Sequence, residues 1–376
     1  MYGLTKDNQK AEAFFEKHKD VVLNAIRNRE KWWIYPRNGR QYLITEDSTT
    51  REFFKTCLND ESYLRKLLTG QPNELLEFTQ YFFDKGGKTD SFFKEQSIKK
   101  RSLDDQEKKI VEKFKNKEVL TSEDKTTLRN ILKNKKVADF NRCVSRVFIE
   151  GIYNKTDLFC KVGFVKNKNL RICPYCGRNY IFSIDRDDKV VKPQIDHFLP
   201  KGKFPFLALS FYNMIPCCTT CNVDIKGEKH ALAKTYDKYE VPHPYEYEDK
   251  WIFCFKLNNT DIFSEFASVQ TENIEIEFKG DAITLDVHNN LFAVKDLYKE
   301  HNDIAHELLI RKQYWTSNVA QGFYQDILND KTVRSKMILS LLGYPESTQE
   351  YTKRPFAKFL KEISDYYDEL VNIGKQ

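Results

Sequence analysis

Cys173-Pro174-Tyr175-Cys176-Gly177, Gln194-Ile195-Asp196-His197-Phe198-Leu199-Pro200-Lys201, Phe211-Tyr212-Asn213-Met214-Ile215-Pro216-Cys217-Cys218-Thr219-Thr220-Cys221-Asn222 and Lys226-Gly227 form the stretch that decides how this chain folds. Five of its nine cysteines fall between positions 173 and 221. They offer two Cys-x-x-Cys pairs, Cys173/Cys176 and Cys218/Cys221. Each pair can place two thiolates on a tight turn, and four thiolates complete a closed tetrahedral zinc site. Gly177 follows the second cysteine, where a knuckle turn needs a permissive backbone. A redox pair of the thioredoxin kind would explain one Cys-x-x-Cys and leave the other idle. A structural zinc is therefore expected. The 42 positions from Cys176 to Cys218 exceed the gap of a simple zinc ribbon, so a small module sits between the pairs. Cys217 is the spare, and Cys57, Cys143, Cys160 and Cys254 read as buried small apolar residues.

Within the gap, adjacent Asp196 and His197 would point to opposite faces of an extended segment. A bend at the strand end lets the carboxylate bind a metal while the imidazole aims at a neighbouring water. Asn213 follows 16 positions later and Asn222 nine beyond that. Residues 213–218 read as a short second strand. Thr219 or Thr220 can cap a helix that carries Cys221 and Asn222 in its first turn.

The series Asp196-His197, Asn213, Asn222 resembles the HNH endonuclease motif in its His-Asn-Asn form, which implies a ββα-metal fold. The two Cys-x-x-Cys pairs resemble the zinc knuckle of many such nucleases. The wording over residues 171–230 looks most like HNH nucleases of bacterial antiphage defence, of the Septu type and its retron-linked relatives. A weaker echo lies in Leu291-Phe292-Ala293-Val294-Lys295-Asp296-Leu297-Tyr298-Lys299-Glu300-His301. The resemblance implies His197 as the general base that activates water. It implies Asp196 and Asn222 as ligands of one Mg²⁺ or Mn²⁺, and Asn213 as the amide that fixes the loop presenting His197. An amide oxygen at position 222, where the family often has His, is a harder ligand and favours Mg²⁺ or Mn²⁺ over a transition metal.

Phosphodiester hydrolysis needs a deprotonated water, stabilisation of developing charge and help for the leaving alkoxide. A histidine near its ordinary pKa of about 6.5 suits the base. In so small a module, zinc would supply on the order of 10 kcal/mol of apparent folding free energy. Lys226, Lys201, Arg178 and Lys203 are candidates for phosphate contacts. His230, eight positions beyond Asn222, reads as an ordinary exposed histidine.

Around this module, residues 1–165 read as a helical N-terminal domain. Phe14/Phe15, His18, Val21/Val22 and Ala25/Ile26 recur at helical spacing. Residues 52–68 and 73–83 read as further helices, and Thr121-Ser122-Glu123-Asp124 starts another. The stretch 85–136 holds 16 Lys/Arg against 9 Asp/Glu, suited either to a nucleic-acid backbone or to solvated helix faces. The module itself takes residues 166–235. In 236–376, residues 251–257 and 273–279 alternate as a half-buried strand pair with an acidic outer face. Val294, Leu297/Tyr298, His301, Ile304/Ala305 and Leu308 form a helical stripe that makes His301 a packed core residue. Arg354-Pro355 opens a last amphipathic helix.

The chain has 376 residues, 40% apolar and 31% charged, and a net charge of +6. That composition is globular and permits a nucleic-acid partner without demanding one. No segment reaches the roughly 18 apolar residues of a membrane span, and the N-terminus lacks a signal-peptide core. A cytoplasmic protein is expected. No Walker-type loop is present, so any nucleotide-driven step would come from a partner. The expectation is an α+β, mostly helical protein with a central zinc-stabilised HNH module and a small β-hairpin. It would be a metal-dependent endonuclease cutting DNA, the effector of an antiphage system beside an ATPase or sensor protein. The alternatives are a non-catalytic zinc-knuckle nucleic-acid-binding or scaffold protein and an RNA-cleaving toxin nuclease.

Overall fold

The structure is a computed structural model and describes residues 3–29, 34–37, 40–43, 46, 48–85, 105–115, 118–133, 140–186, 189–233, 238–316 and 330–374. The fold is mostly helical with small antiparallel strand pairs, an α+β arrangement as expected.

Helix α1 (Asn8–Arg27) begins where the Asp7 side chain accepts from the Lys10 amide, and it buries Phe14, Phe15, His18, Val22, Ala25 and Ile26 along one stripe. Residues 52–68, expected as one helix, belong to two: α2 (Ser48–Asn59) and α3 (Glu61–Thr69). Asp60 breaks them because its extended backbone lets its carboxylate cap α3, accepting from the Tyr63 amide at 3.0 Å. Helix α4 (Pro72–Lys85) follows, with Pro at a position where no amide hydrogen is needed.

Helices α5 (Asp105–Lys115) and α6 (Ser122–Lys133) carry the described part of the basic stretch. There Lys108 pairs with Asp105 and Lys113 with Asp124. Lys99, Lys100, Arg101, Lys135 and Lys136 lie outside the described residues. Thr121 and Asp124 cap α6 reciprocally, each side chain accepting from the other's amide. Helix α7 (Phe140–Ser145) runs directly into a π-type helix, Arg146–Tyr153, and α8 (Lys161–Lys168) follows.

The strands pair two by two: β1 (Ile34–Arg37) with β2 (Arg40–Leu43), β3 (Ile184–Arg186) with β4 (Lys189–Val191), β5 (Gln194–His197) with β6 (Met214–Cys217), and β7 (Trp251–Leu257) with β8 (Ile274–Gly280). The last pair matches the expected hairpin, and its acidic face is partly answered by Lys256 opposite Glu275. The chain closes with α9 (Ala282–Phe292), α10 (Val294–Lys299), α11 (Asn302–Thr316), α12 (Lys331–Leu342) and α13 (Ala357–Gly374).

Two apolar cores organise these elements. The first takes in α1–α4, α7, α8 and the cysteine-bearing segment, together with Leu291 and Phe292 at the end of α9. Phe82 stacks on Phe140 with centroids 4.4 Å apart and meets Phe206 at 4.7 Å. Phe211 donates its amide to the Leu68 carbonyl at 2.7 Å. The N-terminal helices thereby grip the loop between β5 and β6. The second core gathers β7, β8 and α9–α13 around Trp251, Phe253, Leu308 and Phe359.

Three local expectations are corrected. The stripe through His301 is not one helix, since α10 ends at Lys299 and α11 starts at Asn302; the ring of His301 lies against Phe356 at 4.8 Å. Pro355 precedes α13 rather than lying in its first turn, because Phe356 takes a left-handed conformation, φ 59°, before the helix begins. Cys160 is exposed; it caps α8, its sulfur accepting from the Gly163 amide.

Candidate functional site

Cys173, Cys176, Cys218 and Cys221 converge from two turns, all four buried, with their sulfurs within 4.8 Å of one another. A zinc tetrahedron with bonds of about 2.3 Å places its sulfurs about 3.8 Å apart. The Cys176–Cys218 separation, 4.0 Å, is close to that figure. The first turn is built as a knuckle: Gly177 adopts φ 67°, its amide bonds the Cys173 carbonyl at 2.8 Å, and the Arg178 amide points at the Cys176 sulfur at 3.4 Å. Hydrogen bonds from the neighbouring thiols, Cys173 first, hold Cys218 and Cys176 low, while burial pushes Cys173 up and the same bonds push Cys221 up. Four thiolates cannot share this space without a cation, and the donor set fits a structural metal such as zinc.

The C-terminal region clamps the knuckle from outside. Tyr298 donates its hydroxyl to the Cys176 carbonyl at 2.7 Å, Phe356 its amide to the Gly177 carbonyl at 2.8 Å, and Arg178 its guanidinium to the Leu297 carbonyl at 3.0 Å. Arg178 is thus turned toward α10 and is not presented to a phosphate.

Between the cysteine pairs, β5 and β6 run antiparallel with His197 opposite Met214 and Asp196 opposite Ile215. A π-type helix, Thr220–Lys226, follows β6. It starts where expected, but neither threonine makes the expected cap: Thr219 is already helical and has no side-chain capping bond. Asn213 is fully buried and spans the intervening loop. Its amide nitrogen donates to the Leu199 and Leu207 carbonyls at 3.0 and 3.1 Å, and its oxygen accepts from the Leu199 amide at 2.8 Å. The same loop presents the Ala208 carbonyl to His197 Nε2 at 2.9 Å. A carbonyl can only accept, so Nε2 carries the proton and Nδ1 is the open acceptor. Among the described residues Nδ1 has no partner. Burial, then the charge of Lys201, lowers the His197 pKa to about 3, which corrects the expectation of an ordinary value near 6.5 and leaves the ring neutral but weakly basic.

Asp196 is only 3% exposed, and both carboxylate oxygens are engaged. Oδ2 accepts from the Tyr175 hydroxyl at 2.6 Å and Oδ1 from the Lys226 ammonium at 3.0 Å. Lys226 also donates to the His197 carbonyl at 2.9 Å. Its ammonium is buried, so Lys226 is corrected from a phosphate contact to the internal counter-charge of Asp196. Tyr175 lies inside the first Cys-x-x-Cys and stacks on Phe292 at 4.2 Å, so the knuckle and α9 together position the Asp196 carboxylate. Burial, then the Asp196 charge, pushes its phenol up and keeps it a donor. Asn222, half-buried, lies four positions before Lys226 on the π-type helix, a spacing that puts the two on one face.

Of the other candidates, Lys201 lies beside the Tyr153 ring, its ammonium 5.6 Å from the centroid, while Lys203 is half-buried with its carbonyl accepting from Asn141. His230 is half-buried rather than exposed, because its Nδ1 accepts from the Leu232 amide.

Sequence reasoning passed over Tyr175, whose signal was a hydroxyl between two ligand cysteines. It also passed over Lys161 and Tyr153, which come from α8 and the preceding π-type helix and have no local signal.

No family model matches the chain, and no solved structure matches it. Among curated proteins it is similar to protein ea31 of Escherichia phage lambda, 27% identical over 93 residues, which is 23% of this chain. The chain spans 27% of that protein's length.

Proposed function

We propose that this chain is an HNH-type endonuclease that hydrolyses phosphodiester bonds in DNA. In that reading β5, β6 and the π-type helix form the ββα unit, and the four cysteines hold a structural zinc. The observation that carries the proposal is the His197 ring, its Nε2 proton fixed on the Ala208 carbonyl and its Nδ1 open. Nδ1 takes a proton from water as the water oxygen bonds to phosphorus. The bond from phosphorus to the leaving sugar oxygen breaks, and solvent protonates the departing alkoxide. Asn213 acts earlier in the chain of positions, by fixing the loop that carries Ala208.

Asp196 and Asn222 are the oxygen donors that would hold Mg²⁺ or Mn²⁺. Hard oxygen ligands completed by water and phosphate suit these ions, and each Asp196 oxygen keeps a lone pair beyond its one hydrogen bond. When bound, such a cation would supply stabilisation for the negative charge that develops on the phosphate and leaving oxygens. Lys226 competes with it for the same carboxylate. The resemblance in residues 171–230 further suggests an effector of bacterial antiphage defence, working beside an ATPase or sensor protein.

The buried Asp196–Lys226 pair favours a second reading, a zinc-knuckle protein that binds nucleic acid without cutting it. Plasmid DNA and RNA offered to purified protein with Mg²⁺, Mn²⁺ or EDTA separate the two. The nuclease reading expects divalent-dependent nicking of DNA that falls about 10²–10⁴-fold in His197→Ala while zinc content and melting temperature hold. Equal cleavage by that variant would remove His197 as base. Retained binding with no cleavage under any condition would select the second reading, and RNA cleavage alone would redirect the substrate.

A further inference from the structure

Two lysines from separate segments lie over the ring of Tyr153, which itself stands against His197. Tyr153 ends the π-type helix Arg146–Tyr153, and its ring stands edge-on to His197 with centroids 4.9 Å apart. The Lys161 ammonium lies 4.3 Å from the centroid of that ring and the Lys201 ammonium 5.6 Å from it. Ring faces attract ammonium groups and hold their long side chains in place. Lys192 lies two residues ahead of β5. Burial foremost, then the charges of Lys192 and Lys201, hold the Lys161 ammonium below its ordinary range. Like charges gathered this closely are relieved by an anion from outside the chain.

We propose that Lys161 and Lys201 form a cradle for one backbone phosphate of the nucleic-acid substrate, with Tyr153 as its floor and His197 at its edge. The substrate class rests on the nuclease reading, while the cradle rests on where the two ammonium groups stand against Tyr153. Lys161 comes from outside the strand-strand-helix unit, so α8 of the N-terminal core takes part in holding substrate. That gives the long helical segment a task beyond walling the module.

The test titrates fluorescein-labelled duplex DNA, with a labelled RNA of the same sequence alongside. The protein is zinc-loaded His197→Ala, measured over a range of potassium chloride concentrations. Lys161→Gln and Lys201→Gln are each added to that background, with Lys256→Gln on β7 as the control. Each cradle variant should weaken binding for unrelated sequences alike and reduce the slope of log affinity against log salt by about 0.9. Lys256→Gln should change neither. If the parent binds nucleic acid and both cradle variants keep its slope and affinity, the cradle is wrong and the nuclease reading stands. If the parent binds neither DNA nor RNA, the nuclease reading and the cradle fall together. Melting temperature and zinc content of each variant guard against a loss that is only a loss of fold.

Discussion

Two buried polar clusters lie side by side in this protein and are built in opposite ways. At the knuckle, four buried thiols face one another and fit a cation from outside. At Asp196 the positive charge is internal, supplied by Lys226 from the helix that follows. Tyr175 joins them, lying within the first cysteine pair and donating to Asp196. The geometry around His197 is therefore stabilised twice, once by a dissociable ion and once by a covalently tethered one. The two halves should fail differently when each cation is taken away.

The larger failure is expected at the knuckle. Removing the metal with a strong chelator, or replacing Cys176 with Ser, withdraws apparent stabilisation on the order of 10 kcal/mol. The expected outcome is loss of stoichiometric zinc, a fall in melting temperature and loss of near-ultraviolet dichroism from Tyr175 and its neighbours. A Cys176→Ser protein that melts like the parent would break the comparison, because the knuckle would then be stable without its ion. Cys217→Ser is the matched control. Cys217 is buried next to the site but is not among the four converging sulfurs, so zinc content should hold.

Breaking the internal pair should cost less. Lys226→Met leaves Asp196 charged, buried and unpaired, a loss of about 3–5 kcal/mol by urea unfolding. Asp196→Asn on top of it removes the stranded charge yet keeps an acceptor for Tyr175, and should recover much of that loss. An additive double variant would mean that the two side chains are not coupled. Mn²⁺ sharpens the same test. If Asp196 is the cation's ligand, Mn²⁺ should stabilise Lys226→Met more than the parent, because the ion then meets no competing ammonium. Equal stabilisation of both would remove Asp196 from the cation site.

The contrast also explains what could be read from sequence. Cys-x-x-Cys spacing is local and zinc dictates its geometry, so the four ligands were visible from their order alone. Residues 213–218 were likewise readable as a short strand, observed over Met214–Cys217, and Asp196-His197 as part of an extended segment, observed as Gln194–His197. Lys226 was not visible in its real role. A lysine four positions after an asparagine looks like surface charge until the helix brings it onto a buried carboxylate. Asp60 was readable in principle, being a residue that prefers to start a helix, but a continuous apolar period masked the break. Lys161 and Tyr153 could not be found at all. They reach His197 only because the first core folds α8 and the π-type helix against the β5–β6 loop, and no spacing encodes that.

The smallest expected effect probes how firmly the C-terminal region holds the knuckle. Tyr298 is buried and donates to the Cys176 carbonyl, so Tyr298→Phe keeps the ring in the second core and removes one hydrogen bond. The loss should be about 1 kcal/mol, reflecting a buried carbonyl left without its donor. Zinc should still bind, because no sulfur has moved. Its release to a chromogenic chelator should be faster, by roughly the fivefold that 1 kcal/mol implies if the bond is absent in the opened knuckle. Plasmid cleavage should stay near the parent's at saturating zinc, since Tyr298 touches neither Asp196 nor His197. If zinc release is unchanged while stability falls, Tyr298 supports the second core alone and the clamp does not govern the ion. If both change together, the C-terminal helices set the lifetime of the zinc, and through Tyr175 the lifetime of the Asp196 geometry as well.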